Sequence, residues 1–170
     1  MAVRLRQWLA QFCAWHEQHR KGKLPEDCQA LYREARADLS ATLVMAQRLE
    51  IRADGARQAL RMARAIPVDF ELRTGKTSAL TQDVSVGGLS ALVGDTPEVG
   101  SQITFHLKLG RDMGVVSGRG RVVAHIPTHG SVRMAVAFDE IADEARACIE
   151  DLVFDAICAE MRTGLLRNCK

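Results

Sequence analysis

No stretch of the 170-residue sequence comes near the roughly 18 consecutive apolar residues of a membrane-spanning helix, which argues against bilayer insertion. Residues 1–20 lack the compact apolar centre of a secretory signal, because Arg4, Arg6 and Glu17 interrupt them. There is no Cys-x-x-Cys pair, and the five cysteines (Cys13, Cys28, Cys148, Cys158 and Cys169) are odd in number and widely spread. Without a secretory signal they read as reduced thiols that mostly pack, not as a disulfide framework. A large excess of charge is also missing: a net charge of +2 is too weak to argue for a nucleic-acid surface. Together these absences predict a cytoplasmic protein.

What is present is ordinary in amount and uneven in placement. Hydrophobic residues make up 47% and charged residues 26%, as in soluble globular proteins, and the length suits one domain plus an extension. Residues 1–64 carry 12 basic and 7 acidic side chains, whereas residues 139–170 carry 4 and 8. The basic part ends in Arg57, Arg61 and Arg64, just before a strand-like run at 67–72. Guanidinium is planar, permanently charged and forked, so three of them at such a junction suit a small anionic ligand.

In chain order, Val3, Leu5, Trp8, Leu9, Phe12 and Cys13 recur every three or four residues, predicting a helix that stops near Gly22. Pro25, Glu26 and Asp27 restart a second helix carrying Leu31, Tyr32, Ala35, Leu39 and Leu43, so residues 1–50 form an αα-hairpin extension. Its apolar stripes serve internal packing, with Trp8 and Trp15 as alternative anchors for a protein partner. Residues 51–64 form an Arg-rich linker. From residue 65 the apolar period changes to two. Strands are expected at 66–73, 77–83, 88–93, 102–107, 114–125 and 131–138, with the first pair joined by a tight turn at Thr74-Gly75-Lys76. Six short strands with little room for crossover helices predict an antiparallel barrel over residues 65–165, closed by a C-terminal helix. That helix has an apolar face wider than a barrel mouth needs, which points to the N-terminal hairpin or a second subunit, as in a homodimer.

Most chemical motifs fall away. Thr74-Gly75-Lys76-Thr77 resembles the tail of a phosphate-binding loop, but Phe70 stands where the leading glycine belongs and no helix follows. His16/His19 and His125/His129 have usable metal spacings without a neighbouring cysteine or acid to complete a set, so they read as packing or surface residues. Ser85 has no base nearby in sequence to make it a nucleophile.

Two segments remain: Arg57-Gln58-Ala59-Leu60-Arg61, and Asp83-Val84-Ser85-Val86-Gly87-Gly88 one strand-turn-strand later. An Arg-x-x-x-Arg linker followed by Asp-x-Ser-x-x-Gly resembles the PilZ domain family, bacterial receptors for cyclic di-GMP. Gly118-Arg119-Gly120-Arg121, the strand 132–138 and a closing helix follow in the same order. The resemblance covers roughly residues 56–160. It implies a six-stranded PilZ-type β-barrel with a C-terminal helix, preceded here by the αα-hairpin, and binding without catalysis, metal or cofactor.

Carried over by residue, the resemblance gives Arg57 and Arg61 the phosphates and guanine Hoogsteen edges. Asp83 would accept from guanine nitrogens, Ser85 would bond a polar edge of the ligand, and Gly87 and Gly88 would keep the backbone open to it. Arg64 is a third ligand or a solvated residue, and an Arg61/Arg64 clamp is the alternative register. Because Ala56 precedes the motif where an extra arginine goes with a stacked nucleotide pair in that family, one nucleotide per protomer is expected. The implied function is a cyclic di-GMP receptor that signals to an unidentified protein partner through linker ordering and the N-terminal helices. A nucleotide-independent interaction module is the alternative.

Overall fold

The first helix, α1 (Ala2–Arg20), ends where Gly22 turns the backbone left-handed at φ 64°. The amide of Lys23 then reaches back to the Gln18 carbonyl (2.8 Å) and that of Gly22 to the His19 carbonyl (2.9 Å). These bonds satisfy carbonyls the helix leaves orphaned. Pro25 and the first-turn acids Glu26 and Asp27 start α2 (Glu26–Glu50), as their affinity for a helix N-terminus predicts. The computed structural model describes residues 2–50, 59–94, 96–110, 113–128 and 130–167.

The chain divides into two compact units, residues 1–60 with 153–170, and residues 61–152. In the first, the far part of α3 (Asp143–Arg167) joins α1 and α2 around the rings of Phe12, Tyr32 and Phe154. Phe12 is fully buried, with ring centroids 5.8 Å from Tyr32 and 5.7 Å from Phe154. Cys13, Ala35, Leu39 and Cys158 fill in around them. The surplus apolar face of the C-terminal helix is thus used against the hairpin of the same chain.

In the second unit, β2 (Pro67–Leu72), β3 (Gly75–Ser85), β4 (Gly88–Val93), β5 (Gln102–Gly110), β6 (Gly114–Thr128) and β7 (Ser131–Ile141) are all paired antiparallel. The order β3-β2-β5-β6-β7-β4 closes through a β3–β4 pairing, giving the expected six-stranded barrel. Closure leaves few free strand edges. Alternate residues point inward: Val68 and Phe70 on β2, Ile103, Phe105, Leu107 and Leu109 on β5, and Met134 and Val136 on β7 are all buried. The first hairpin turn falls at Arg73-Thr74, one residue earlier than expected, with Leu72 facing Gly75, whose φ of 139° a side chain would resist. One strand is additional: β1 (Met62–Ala63) pairs with the outer part of β3.

Candidate ligand-binding site

The outer end of β3 carries the sequence-predicted acid, and a bulge aims it. Thr81 faces Ala91 of β4 while Asp83 faces Ser90, so Gln82 is the extra residue. Thr81 and Val84 are both fully buried, a spacing of three that an unbroken strand with period two does not allow. The bulge therefore turns Asp83 and Ser85 to the face opposite Val84.

The residue just before β1 supplies the base. With Ala63 opposite Asp83 and Met62 opposite Val84, Arg61 arrives beside the acid, and its Nη1 donates to Asp83 Oδ1 at 2.8 Å. Ser90 Oγ, directly across the β3–β4 ladder, donates to Asp83 Oδ2 at 2.7 Å. The Arg61 and Asp83 side chains are 32% and 21% exposed, held in place yet reachable from solvent. The chain beyond Arg61 is fastened as well: Thr81 Oγ1 donates to the Arg64 carbonyl (2.5 Å) and accepts from the Ile66 amide (2.9 Å). Arg64 is exposed, and its guanidinium has no hydrogen-bond or ion-pair partner among the described residues. Arg57 lies in the segment 51–58, outside the described residues.

Ser85 and the glycines build the turn between β3 and β4. The Ser85 hydroxyl, 1% exposed, donates to the Gly88 carbonyl (3.1 Å) and accepts from the Gly87 amide (3.3 Å). The Gly87 carbonyl accepts from the Phe138 amide of β7 at 3.0 Å. Gly88 is required for space: a Cβ there would stand 2.3 Å from the Val136 carbonyl oxygen.

Sequence reasoning missed two residues of this arrangement. Ser90 was within reach, since hairpin register places it opposite Asp83. Arg146 on α3, whose Nη1 donates to the Val86 carbonyl at 2.9 Å, is 60 residues away and carries no local signal.

The helical unit holds a second polar constellation. His16, 2% exposed, has Nδ1 2.6 Å from the Tyr32 hydroxyl and Nε2 3.0 Å from Asp155 Oδ1. Arg20 Nε donates to Asp155 Oδ2 at 3.3 Å. Burial pushes the Asp155 carboxyl up, but the His16 hydrogen bond and the Arg20 charge outweigh it and hold its pKa below the usual value. Cys13 is lowered to about 7, chiefly by a hydrogen bond from the Cys158 thiol and with help from Arg162, against the opposing effect of burial. His16 is thus buried in the helical core between Tyr32 and Asp155. His129 lies outside the described residues. Among the described residues no group of three or more His, Cys, Asp or Glu side chains is placed to hold a metal, and no helix is long and apolar enough to cross a membrane.

The second unit is thus a closed six-stranded barrel whose lead-in sets Arg61 beside an Asp-x-Ser-x-x-Gly segment. Residues 56–155 match the PilZ domain, and the chain belongs to the PilZ domain family. Comparison of the sequence with curated proteins finds no match. Among solved structures, the chain is similar to the PilZ domain of YcgR from Escherichia coli with c-di-GMP (TM-score 0.53, 12% identity, 65% of this chain and 98% of that one). It is also similar to the Bacillus subtilis inhibitor of motility MotI/DgrA (TM-score 0.54, 16% identity, 60% of this chain and 51% of that one). A third likeness is to the K. pneumonia MrkH–c-di-GMP complex (TM-score 0.53, 15% identity, 63% of this chain and 55% of that one). At these identities the likeness is one of fold. The matched part spans about half the length of the MotI/DgrA and MrkH chains.

Proposed function

We propose that this chain is a cytoplasmic cyclic di-GMP receptor that works by binding and not by catalysis. The observation that supports it most is the meeting of Arg61 and Asp83, 22 residues apart in sequence, beside the β3–β4 turn of a PilZ barrel. A fork of N–H donors matches phosphate oxygens and the O6/N7 edge of guanine, while a carboxylate matches the guanine N–H donors. Without ligand the two groups satisfy each other. On binding, Arg61 swings to the nucleotide, and Asp83, still oriented by Ser90, accepts guanine N–H bonds through its freed and spare lone pairs. Arg57 completes the clamp and Arg64 adds positive charge. Ser85, Gly87 and Gly88 act mainly by shaping the turn on which Asp83 sits.

The signalling route in this reading runs through the lead-in to β1: a nucleotide that takes Arg57 and draws Arg61 from Asp83 changes how that lead-in is held, and the N-terminal helices pass the change to a protein partner. Ligand-bound and ligand-free states must differ in free energy for that partner, whatever the route.

Calorimetric titration with cyclic di-GMP tests the reading. The wild type binds one nucleotide per protomer, and Arg57→Ala or Arg61→Ala each weakens binding by about 1.5–3 kcal/mol, the range for charge-assisted hydrogen bonds. Arg64→Ala costs less. Equal affinity in wild type and the Arg57/Arg61 double variant would end the receptor reading, and a stoichiometry near two would move the clamp to Arg61/Arg64. Hydrogen exchange over residues 1–56 probes the relay, which is refuted by unchanged protection at saturating nucleotide.

A further inference from the structure

We propose that Arg146 is a positioning residue for this site: from the first turns of α3 it fixes which way the Val86–Gly87 peptide faces, and so preorganises the turn bearing Asp83 and Ser85. This inference rests on the receptor reading above.

Val86 and Gly87 are the two residues between β3 and β4, so the peptide joining them is the central one of a two-residue turn. The orientation of that peptide is what separates one turn type from its peptide-flipped relative, and the flip exchanges the places of one carbonyl and one N–H. Here both ends of the peptide are held. Its carbonyl accepts from Arg146 Nη1 at 2.9 Å, and its N–H donates to Ser85 Oγ at 3.3 Å. A trans peptide points its C=O and N–H in opposite directions, so the two bonds select the same orientation from opposite sides. Ser85 closes the arrangement by donating to the Gly88 carbonyl.

The grip comes from a rigid support. Arg146 lies within α3, where its own amide bonds the Ala142 carbonyl at 2.9 Å. Its guanidinium takes no described carboxylate as partner, so the bond to Val86 is not incidental to an ion pair. Removing the donor leaves the carbonyl to water and lets the flipped peptide compete. The flip would also take the Gly87 N–H away from Ser85, loosening the strand end that presents Asp83. Such a residue touches no ligand, yet lowers affinity when lost, because part of the binding free energy must then order the turn.

The test uses the full chain with Arg146→Ala and Arg146→Lys, titrated calorimetrically with cyclic di-GMP, and amide exchange at Gly87 read by NMR without ligand. A single net hydrogen bond sets the scale, so Arg146→Ala binds about fivefold more weakly. Its Gly87 amide exchanges faster, its unfolding midpoint falls by no more than one exposed hydrogen bond accounts for, and Arg146→Lys, which restores one donor, recovers both affinity and protection. A wild type that binds beside an Arg146→Ala variant that binds equally or more tightly overturns the inference and leaves the receptor reading standing. A parallel fall in affinity and unfolding midpoint, not rescued by lysine, also overturns it. If the wild type does not bind, the receptor reading falls and takes the ligand role of Arg146 with it. The Gly87 exchange then still decides whether Arg146 holds the peptide.

Discussion

Replacing Gly88 by alanine sets two explanations of the same glycine against each other. The family resemblance gives it room for ligand approach, whereas the barrel gives it room for a neighbouring strand. A Cβ built at Gly88 lies 2.3 Å from the Val136 carbonyl oxygen and 3.3 Å from Ala137 Cα. Ordinary contact would require β4 to retreat by about 1 Å, and β7 cannot give way easily because β6 pairs with its other edge at Val122↔Val136. Overpacking of this kind costs about 1–3 kcal/mol. The retreat also strains the Ser85 hydroxyl bond to Gly88 and the Phe138 amide bond to Gly87, each worth about 1 kcal/mol net. A total of about 3–5 kcal/mol is a large part of the roughly 5–15 kcal/mol that holds a typical domain. Trp8, Trp15 and Tyr32 all lie in the helical unit, so indole fluorescence does not report on the barrel. The loss must be read by urea unfolding followed through barrel amides in NMR, with Gly87→Ala as the control. Gly87 is exposed and its φ is not positive, so its substitution costs about 0.5 kcal/mol or less, as at ordinary surface positions. A Gly88→Ala barrel within about 1 kcal/mol of wild type that has lost ligand binding would refute the steric account.

Two further outcomes concern the helical unit. Tyr32→Phe removes the hydroxyl 2.6 Å from His16 Nδ1 and leaves a buried ring nitrogen unpaired, which costs about 1–3 kcal/mol in urea unfolding followed by tryptophan fluorescence; an unchanged midpoint would show that the contact carries no weight. Asp155 has a folded-state pKa below its unfolded 3.8, so its stabilisation is present above that value and is lost as pH falls through the folded one. The unit therefore weakens in that acid range, Asp155→Asn flattens the dependence, and parallel pH profiles for the two proteins would contradict the assignment.

The barrel was legible because its physics is local. Apolar alternation, Gly/Pro turns and short spacings located all six strands, with errors confined to their ends and to the turn at Arg73-Thr74. The helix stop at Gly22 was equally plain. What the sequence did not disclose depends on register or on distance along the chain. The bulge at Gln82 decides which way Asp83 faces, but an extra residue looks like any other until its pairing is known. Ser90 becomes meaningful only once it stands opposite Asp83. Arg146 is one arginine among many until the fold brings it to Val86. Cys13 and Cys158 pack together as expected of scattered thiols, while the contact of His16 with Tyr32 and Asp155 needed three helices at once. At Gly88 the sequence pattern points to room for a ligand, and the tight fit against β7 could not be read without the neighbouring strand.

The two-residue strand β1 has a mechanical consequence. Strands pulled along their length in a closed barrel resist in shear, with many hydrogen bonds loaded together. Met62 and Ala63, at the margin, can be opened one pair at a time like a zipper. Tension applied to the chain from the N-terminal side of Arg61 would meet this weak seam before the barrel, drawing Arg61 off Asp83 while β2–β7 stay intact. Load on the linker and occupancy of the site are thereby opposed. A partner that tugs on the lead-in segment competes with a nucleotide that fastens it, and force becomes an input to the same pair of side chains.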